Sequence, residues 1–171
     1  MADVTTVHTH VQPSTIQVAI QVEIPTQELR AGEAAEVLLC LSELAALIAG
    51  SDYFDLAEAD PADAENWRSN ALVVNQMSIS PPLEILAVLP GCTPEQVQAF
   101  VEALTFMHVV VRDQQAGKKT NDDERLTKAA HLLVQDTSDV PRTPPIEKVR
   151  AIVVRLAVLS LTIVDITIRR G

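Results

Sequence analysis

From Ile16 to Ile24 the chain alternates without a break: Ile16, Val18, Ile20, Val22 and Ile24 are apolar, and Thr15, Gln17, Ala19, Gln21 and Glu23 between them are small or polar. A period of two puts the branched residues on one face of an extended strand and the others on the opposite face. The chain must therefore build a sheet with at least one covered face, and other elements have to cover it. Helices are the candidates. Past Pro25, Val37, Leu41, Leu44 and Ile48 recur at helical spacing with Leu38 and Ala45 beside them, and Gly50 is the natural stop.

Further along, Leu72 to Ile79 reads as a second strand whose alternation falters at Asn75 and Gln76, as a bulge would make it do. Ser80, Pro81 and Pro82 end that strand and suit a helix entry, so Leu83 to Leu89 reads as a short helix stopped by Pro90 and Gly91. Thr93, Pro94 and Gln96 supply a cap, a first-turn proline and a capping-box partner for the next helix. On that helix Val97, Val101, Leu104, His108 and Val111 share one face. After a polar turn from Gln114 to Asp123, Asn121 and Glu124 can close a second capping box for a helix through Leu126, Ala130 and Leu133. Two stretches read as connections: the acidic run Asp52, Asp55, Glu58, Asp60, Asp63 and Glu65, with no base among them, as a solvated loop or frayed short helix, and the proline-rich segment from Asp136 to Pro145, with little apolar material, as a linker.

The C-terminal segment reads two ways. Lys148, Arg155, Thr162 and Arg169 recur every seven residues, which aligns them on one stripe of a helix and scatters them over both faces of a strand. A helix from Ile146 to Arg169 would be about 36 Å long, and its apolar surface is too wide for one narrow seam. Against it, Ile163, Val164, Ile166, Thr167 and Ile168 are β-branched and favour a final strand pairing with the first. The helical reading gives an α+β chain, mostly helical, with a small sheet of two or three strands packed by several helices and a long C-terminal helix. It divides the chain into an arm (1–14), an α+β core domain (15–140) and a C-terminal amphipathic helix (141–171).

Composition narrows the partners. A chain of 171 residues suits one domain, and 47% apolar with 3% aromatic residues demands an aliphatic core. The formal charge of −10 repels nucleic acid and anionic lipid alike. Cys40 and Cys92 lie in apolar settings and read as free core thiols, with Cys92 just before a helix start, where a thiol can be activated. Met1 to His10 has no basic head and no apolar run of a signal peptide. The longest uncharged apolar run, from Arg155 to Asp165, is too short to span a bilayer. A cytoplasmic protein is the expectation.

Chemistry is scarce. His8 and His10 are spaced for one side of a strand, yet two ligands do not make a zinc site. His108 sits on an apolar stripe, where a neutral hydrogen-bonded ring is the plain account and a general base the sharper one. His131 falls beside Thr127, Lys128 and Gln135 and reads as solvated. The acidic run lacks the spacing and turn glycine of a calcium loop, and no glycine-rich phosphate loop occurs. The reading therefore assigns no catalytic residue, no cofactor and no metal.

The order of strand (Ile16 to Ile24), Leu-rich helix (through Leu44), strand, and then Ser80, Pro81, Pro82, Leu83, Glu84 and Ile85 resembles small uncharacterised actinobacterial proteins. In those a Ser-Pro-Leu-Glu-apolar junction follows the second strand, often leading into a hydrophobic or membrane-leaning helix. Over residues 15 to 90 the resemblance implies topology and no mechanism. Pro82 interrupts the junction here, and Glu95, Gln96, Gln98 and Glu102 make the following helix more polar.

The function expected is a non-enzymatic interaction or self-assembling protein, a homo-oligomer or partner-binder whose interface is Val149, Ile152, Val153, Leu156, Leu159 and Ile163. Two alternatives remain: peripheral membrane contact through the same helix, with Lys148, Arg150, Arg155, Arg169 and Arg170 facing headgroups, and an enzyme with a site near His108 or Cys92.

Overall fold

The alternating segment forms a strand in the computed structural model of the chain, which describes residues 16–25, 28–49, 71–78, 82–118, 123–134 and 144–170. Strand β1 (Ile16–Glu23) leads to helix α1 (Ala31–Ile48), strands β2 (Val73–Ser78) and β3 (Leu83–Val88), helices α2 (Pro94–Gln115), α3 (Asp123–Leu133) and α4 (Ile146–Ala157), and strand β4 (Thr162–Arg170). Every pairing is antiparallel, and the strands lie in the order β2-β3-β1-β4. The arm from 1 to 14 with His8 and His10, the acidic run, Ser80, Pro81, Asn121 and most of the 136–145 linker lie outside the described residues.

The helices cover one face of this sheet. Val18, Ile20 and Val22 of β1 sit opposite Ala87, Ile85 and Leu83 of β3, and all six belong to one buried cluster with α1, α2, α3 and α4. The expected bulge is present, because the β2–β3 register shifts between Val74 and Gln76 and Asn75 is the residue between them. The expected capping box is present too: Gln96 N–H donates to the Thr93 hydroxyl at 3.2 Å, and Thr93 N–H donates to the Gln96 amide oxygen at 2.8 Å. Gln96 also donates to the Ile48 carbonyl at 3.1 Å, which fastens the last turn of α1 to the first turn of α2.

Two expectations are corrected. Leu83 to Val88 is a strand, not a short helix, and the sheet has four strands where two or three were expected. The burial of Leu83, Ile85 and Ala87 alternates with half-exposure of Glu84, Leu86 and Val88. Leu86 and Val88 are themselves apolar, so the sequence hides the period of two that the fold displays. Secondly, the C-terminal segment is a helix of 12 residues followed by a strand of 9, and the longest helix is α2 with 22 residues. The strand alternative is the one realised: β4 pairs with β1 from Ile16↔Arg170 to Glu23↔Thr162. The seven-residue recurrence of Lys148, Arg155, Thr162 and Arg169 thus spans two different elements and marks no common stripe.

Two side chains hold the corner between α4 and β4. From α1, the Glu33 carboxylate accepts the Ser160 N–H at 2.7 Å and the Ser160 hydroxyl at 2.6 Å. From the last turn of α2, the Gln115 amide donates to the carbonyls of Leu159 and Leu161, each at 3.0 Å. The Ser160 hydroxyl, and then its N–H, lower the Glu33 pKa against a smaller opposing effect of burial. A carboxyl whose folded pKa is depressed stabilises the fold at neutral pH and loses that contribution as pH falls through the folded value. Glu33→Gln is therefore expected to cost about 1 kcal/mol at pH 7. The gap between variant and wild type in urea melts should close as pH drops below 4.5. An equal gap at every pH would refute the assignment.

Candidate functional site

The six residues expected at an interface lie inside the protein instead. Val149, Ile152, Val153, Leu156 and Ile163 are buried, and Leu159 is partly buried against the same cluster. One element accounts for this burial: β4 takes the second half of the supposed rod into the sheet, and α4 is then short enough for α1, α2 and α3 to pack against its inner side. The apolar width read from the sequence belonged to a core, as it does for most such faces.

The candidate chemical groups are likewise placed in the body of the fold. Cys40, on α1, is buried; burial pushes its thiol up to about 12, with Arg155 opposing and Glu36 and Glu43 adding to the shift. Burial alone raises the Cys92 thiol to about 11, so the helix start behind it does not activate it. His108 is half-buried, and its Nδ1 lies 3.3 Å from the Ile163 carbonyl. A carbonyl only accepts, so Nδ1 carries the proton and Nε2 the lone pair. Burial lowers the His108 pKa, and the Ile163 contact opposes that. His131 is exposed, as expected. Among the described residues no group of three or more His, Cys, Asp or Glu side chains is placed to hold a metal ion.

Three surfaces remain. The first is the seam between α1 and α4. There Arg155 of α4 reaches Glu36 at 2.6 Å and also pairs with Glu43, one turn to either side of Leu39 on α1. Burial works against the Arg155 charge, but the two carboxylates outweigh it and raise its pKa. Beside this bridge Leu39 is 50% exposed, Val154 is 49% exposed and Val158, one turn after Val154, is 78% exposed. Isolated apolar side chains on a surface are ordinary; a run along one helix next to a clamped ion-pair bridge is a patch.

The second surface is the sheet face away from the helices. Ala19 lies there between Leu86 and Thr167 in register, outside the main core cluster. A polar chain crosses the same face, with Gln21 donating to Glu84 at 3.5 Å and Arg169 donating to Glu84 at 3.2 Å. The third is the outer edge of β4. Near its end an open groove of about 400 Å³ lies between β1, β4 and α2, lined by Ile16, Ile168, Arg170, Glu95, Ala99 and Glu102 among others. None of the three was read from the sequence. For the seam, the signal was Leu39, Val154 and Val158 lying off the apolar stripes of their helices.

Fold and surface together define an α+β protein: a four-stranded antiparallel sheet with helices packed on one face. No protein-family model matches the chain, and no significant match to it was found among curated proteins or solved structures. Among the described residues no helix is long and apolar enough to cross a membrane.

Proposed function

We propose that this chain is a non-enzymatic interaction module that docks a partner protein on the α1–α4 seam. The carrying observation is the exposure of Leu39, Val154 and Val158 beside the Arg155 bridge. In this reading helix α4 docks the partner through its outward side and not through the inner residues Val149, Ile152, Val153 and Leu156. A net charge of −10 and the seam carboxylates Glu36 and Glu43 favour an apolar ridge with a basic rim on the partner.

Affinity capture from the native host with the wild-type chain and with Val154→Asp/Val158→Asp tests this reading. The expected result is a partner held by the wild type and lost from the double variant, while both chains melt within about 0.5 kcal/mol of each other. Recovery of the same proteins in the same amounts from both would overturn it.

Peripheral membrane binding through α4 draws less support. Arg155 is committed to Glu36 and Glu43, and Arg150 to Glu147 and Asp123, so these guanidinium groups have counter-charges before any headgroup arrives. An enzymatic site at His108 or Cys92 draws less still: burial raises the Cys92 thiol pKa, and the His108 Nδ1 proton is bonded to a main-chain carbonyl and not to a carboxylate.

A further inference from the structure

We propose that β4 is the self-pairing edge of a two-fold homodimer, in which Asp165–Arg170 of one copy runs antiparallel to the same segment of a second copy about an axis through Thr167. The inference concerns a different surface from the α1–α4 seam and does not rest on it.

β4 ends the strand order, so among the described residues it pairs with β1 alone. Unpaired edges are templates for further strands unless something blunts them. The other edge, β2, is blunted: it has six residues and a register shift in the middle. In β4 the shift falls early, opposite Gln21 and Val22, and Asp165 to Arg170 then continues in unbroken register. That regular stretch contains no proline and no glycine.

Charge selects both the partner and the register. Asp165, Thr167 and Arg169 share the sheet face away from the helices. Asp165 is exposed, and its charge also acts on His108. Directly opposite residues of an antiparallel pair have side chains on the same face, so a two-fold axis normal to the sheet must pass midway between the two copies of one residue, and the axis takes that residue's name. An axis through Thr167 sets each Asp165 opposite the second copy's Arg169 and the two threonines opposite each other. An axis through Ile166 sets Asp165 opposite Thr167, and one through Asp165 sets like charges together. Cross-strand pairs of opposite charge stabilise a sheet and like pairs destabilise it, so the Thr167 register is favoured. Arg169 already donates to Glu84, but its planar fork has donors for a second carboxylate.

The helix-side face agrees. Ile166 and Ile168 point to the core side yet are only half-buried, and Ile168 opens onto the groove beside α2. The groove between the last residues of β4 and the first turns of α2 thus leaves part of this face open. In the proposed register Ile166 faces the second copy's Ile168 on this side, so the apolar area left open by one chain is covered by the other.

The test is size-exclusion chromatography with light scattering on the full chain. Wild type should approach twice 18.6 kDa as concentration rises. Asp165→Arg and Arg169→Asp should each weaken dimerisation by about tenfold or more. An equimolar mixture of the two should dimerise again, because the reversed charge of each then faces its opposite in the other. Asp165→Arg leaves the Glu84 contact intact, and circular dichroism of each variant checks that it folds. A wild type that stays monomeric at high concentration, or a mixture no better than its components, overturns the proposal. So does a β4 edge whose amides resist hydrogen exchange equally at every concentration and lose that protection when residues 1–14 are removed, since the arm would then fill it.

Discussion

Val153→Asp is expected to unfold the chain, and Val154→Asp, one residue on, is expected to leave its stability untouched. Val153 is fully buried on the inner side of α4, between Val149 and Leu156, whereas Val154 is half-exposed on the outer side. A carboxylate forced into an aliphatic core has no counter-charge there and must either stay ionised without water or take up a proton at a cost. The loss of at least about 4 kcal/mol is a large part of the roughly 5–15 kcal/mol that holds an ordinary domain folded. Urea melts followed by circular dichroism measure both variants. If the inner stripe were an interface between copies, Val153→Asp would instead give a well-folded monomer. That outcome would restore the inner stripe as a docking surface and remove it from the core.

The contrast between those neighbours shows where the sequence is legible and where it is not. Periodicity says that one side of residues 146–157 is apolar; it does not say whether the cover comes from the same chain. Local signals were read correctly where one residue type has one physical use. The Ile16 to Ile24 alternation, the Thr93 capping box and the Asn75 irregularity all correspond to features of the fold. Leu83 to Val88 failed because Leu86 and Val88 place apolar groups on the less buried face, so the run fits a helix or a strand equally well. It is a strand because β1 and β2 offer hydrogen-bonding edges on both sides of it, and β1 lies far away in the sequence. The C-terminal boundary failed for a related reason. Nothing between Ala157 and Thr162 is proline or glycine, and the stop is imposed by Glu33 and Gln115 from two other helices. The docking surfaces were missed because they consist of residues that the apolar periodicities leave out.

That imposed stop carries the other large prediction. α2 ends in a glycine-terminated turn: Gly117, at a φ of 73°, donates to the Gln114 carbonyl at 3.0 Å, and Lys118 donates to the Asp113 carbonyl at 2.9 Å. The left-handed residue there suits glycine, and the paired bonds fix the last turn, which carries Gln115. Its amide nitrogen donates to Leu159 and Leu161 at 3.0 Å each and lies 3.5 Å from the Leu156 carbonyl, the last turn of α4. Its oxygen accepts the Thr162 hydroxyl at 2.7 Å, at the first residue of β4. One side chain thus satisfies the carbonyls of the turn that follows the helix and orients the strand after it. Gln115→Leu keeps the volume and removes every one of these bonds, so it should cost about 2–3 kcal/mol and lower the melting temperature by about 5–10 °C. Thr162→Val, which removes only the hydroxyl bond, should cost about 1 kcal/mol or less. Gln115→Glu should be worse than Gln115→Leu, because a carboxylate has no N–H to give and sets a negative charge against carbonyl oxygens. Hydrogen exchange in Gln115→Leu should quicken first at the start of β4, ahead of β1 and β3. A Gln115→Leu protein that melts within a degree of wild type would mean that β-branched residues alone turn the chain from helix into strand.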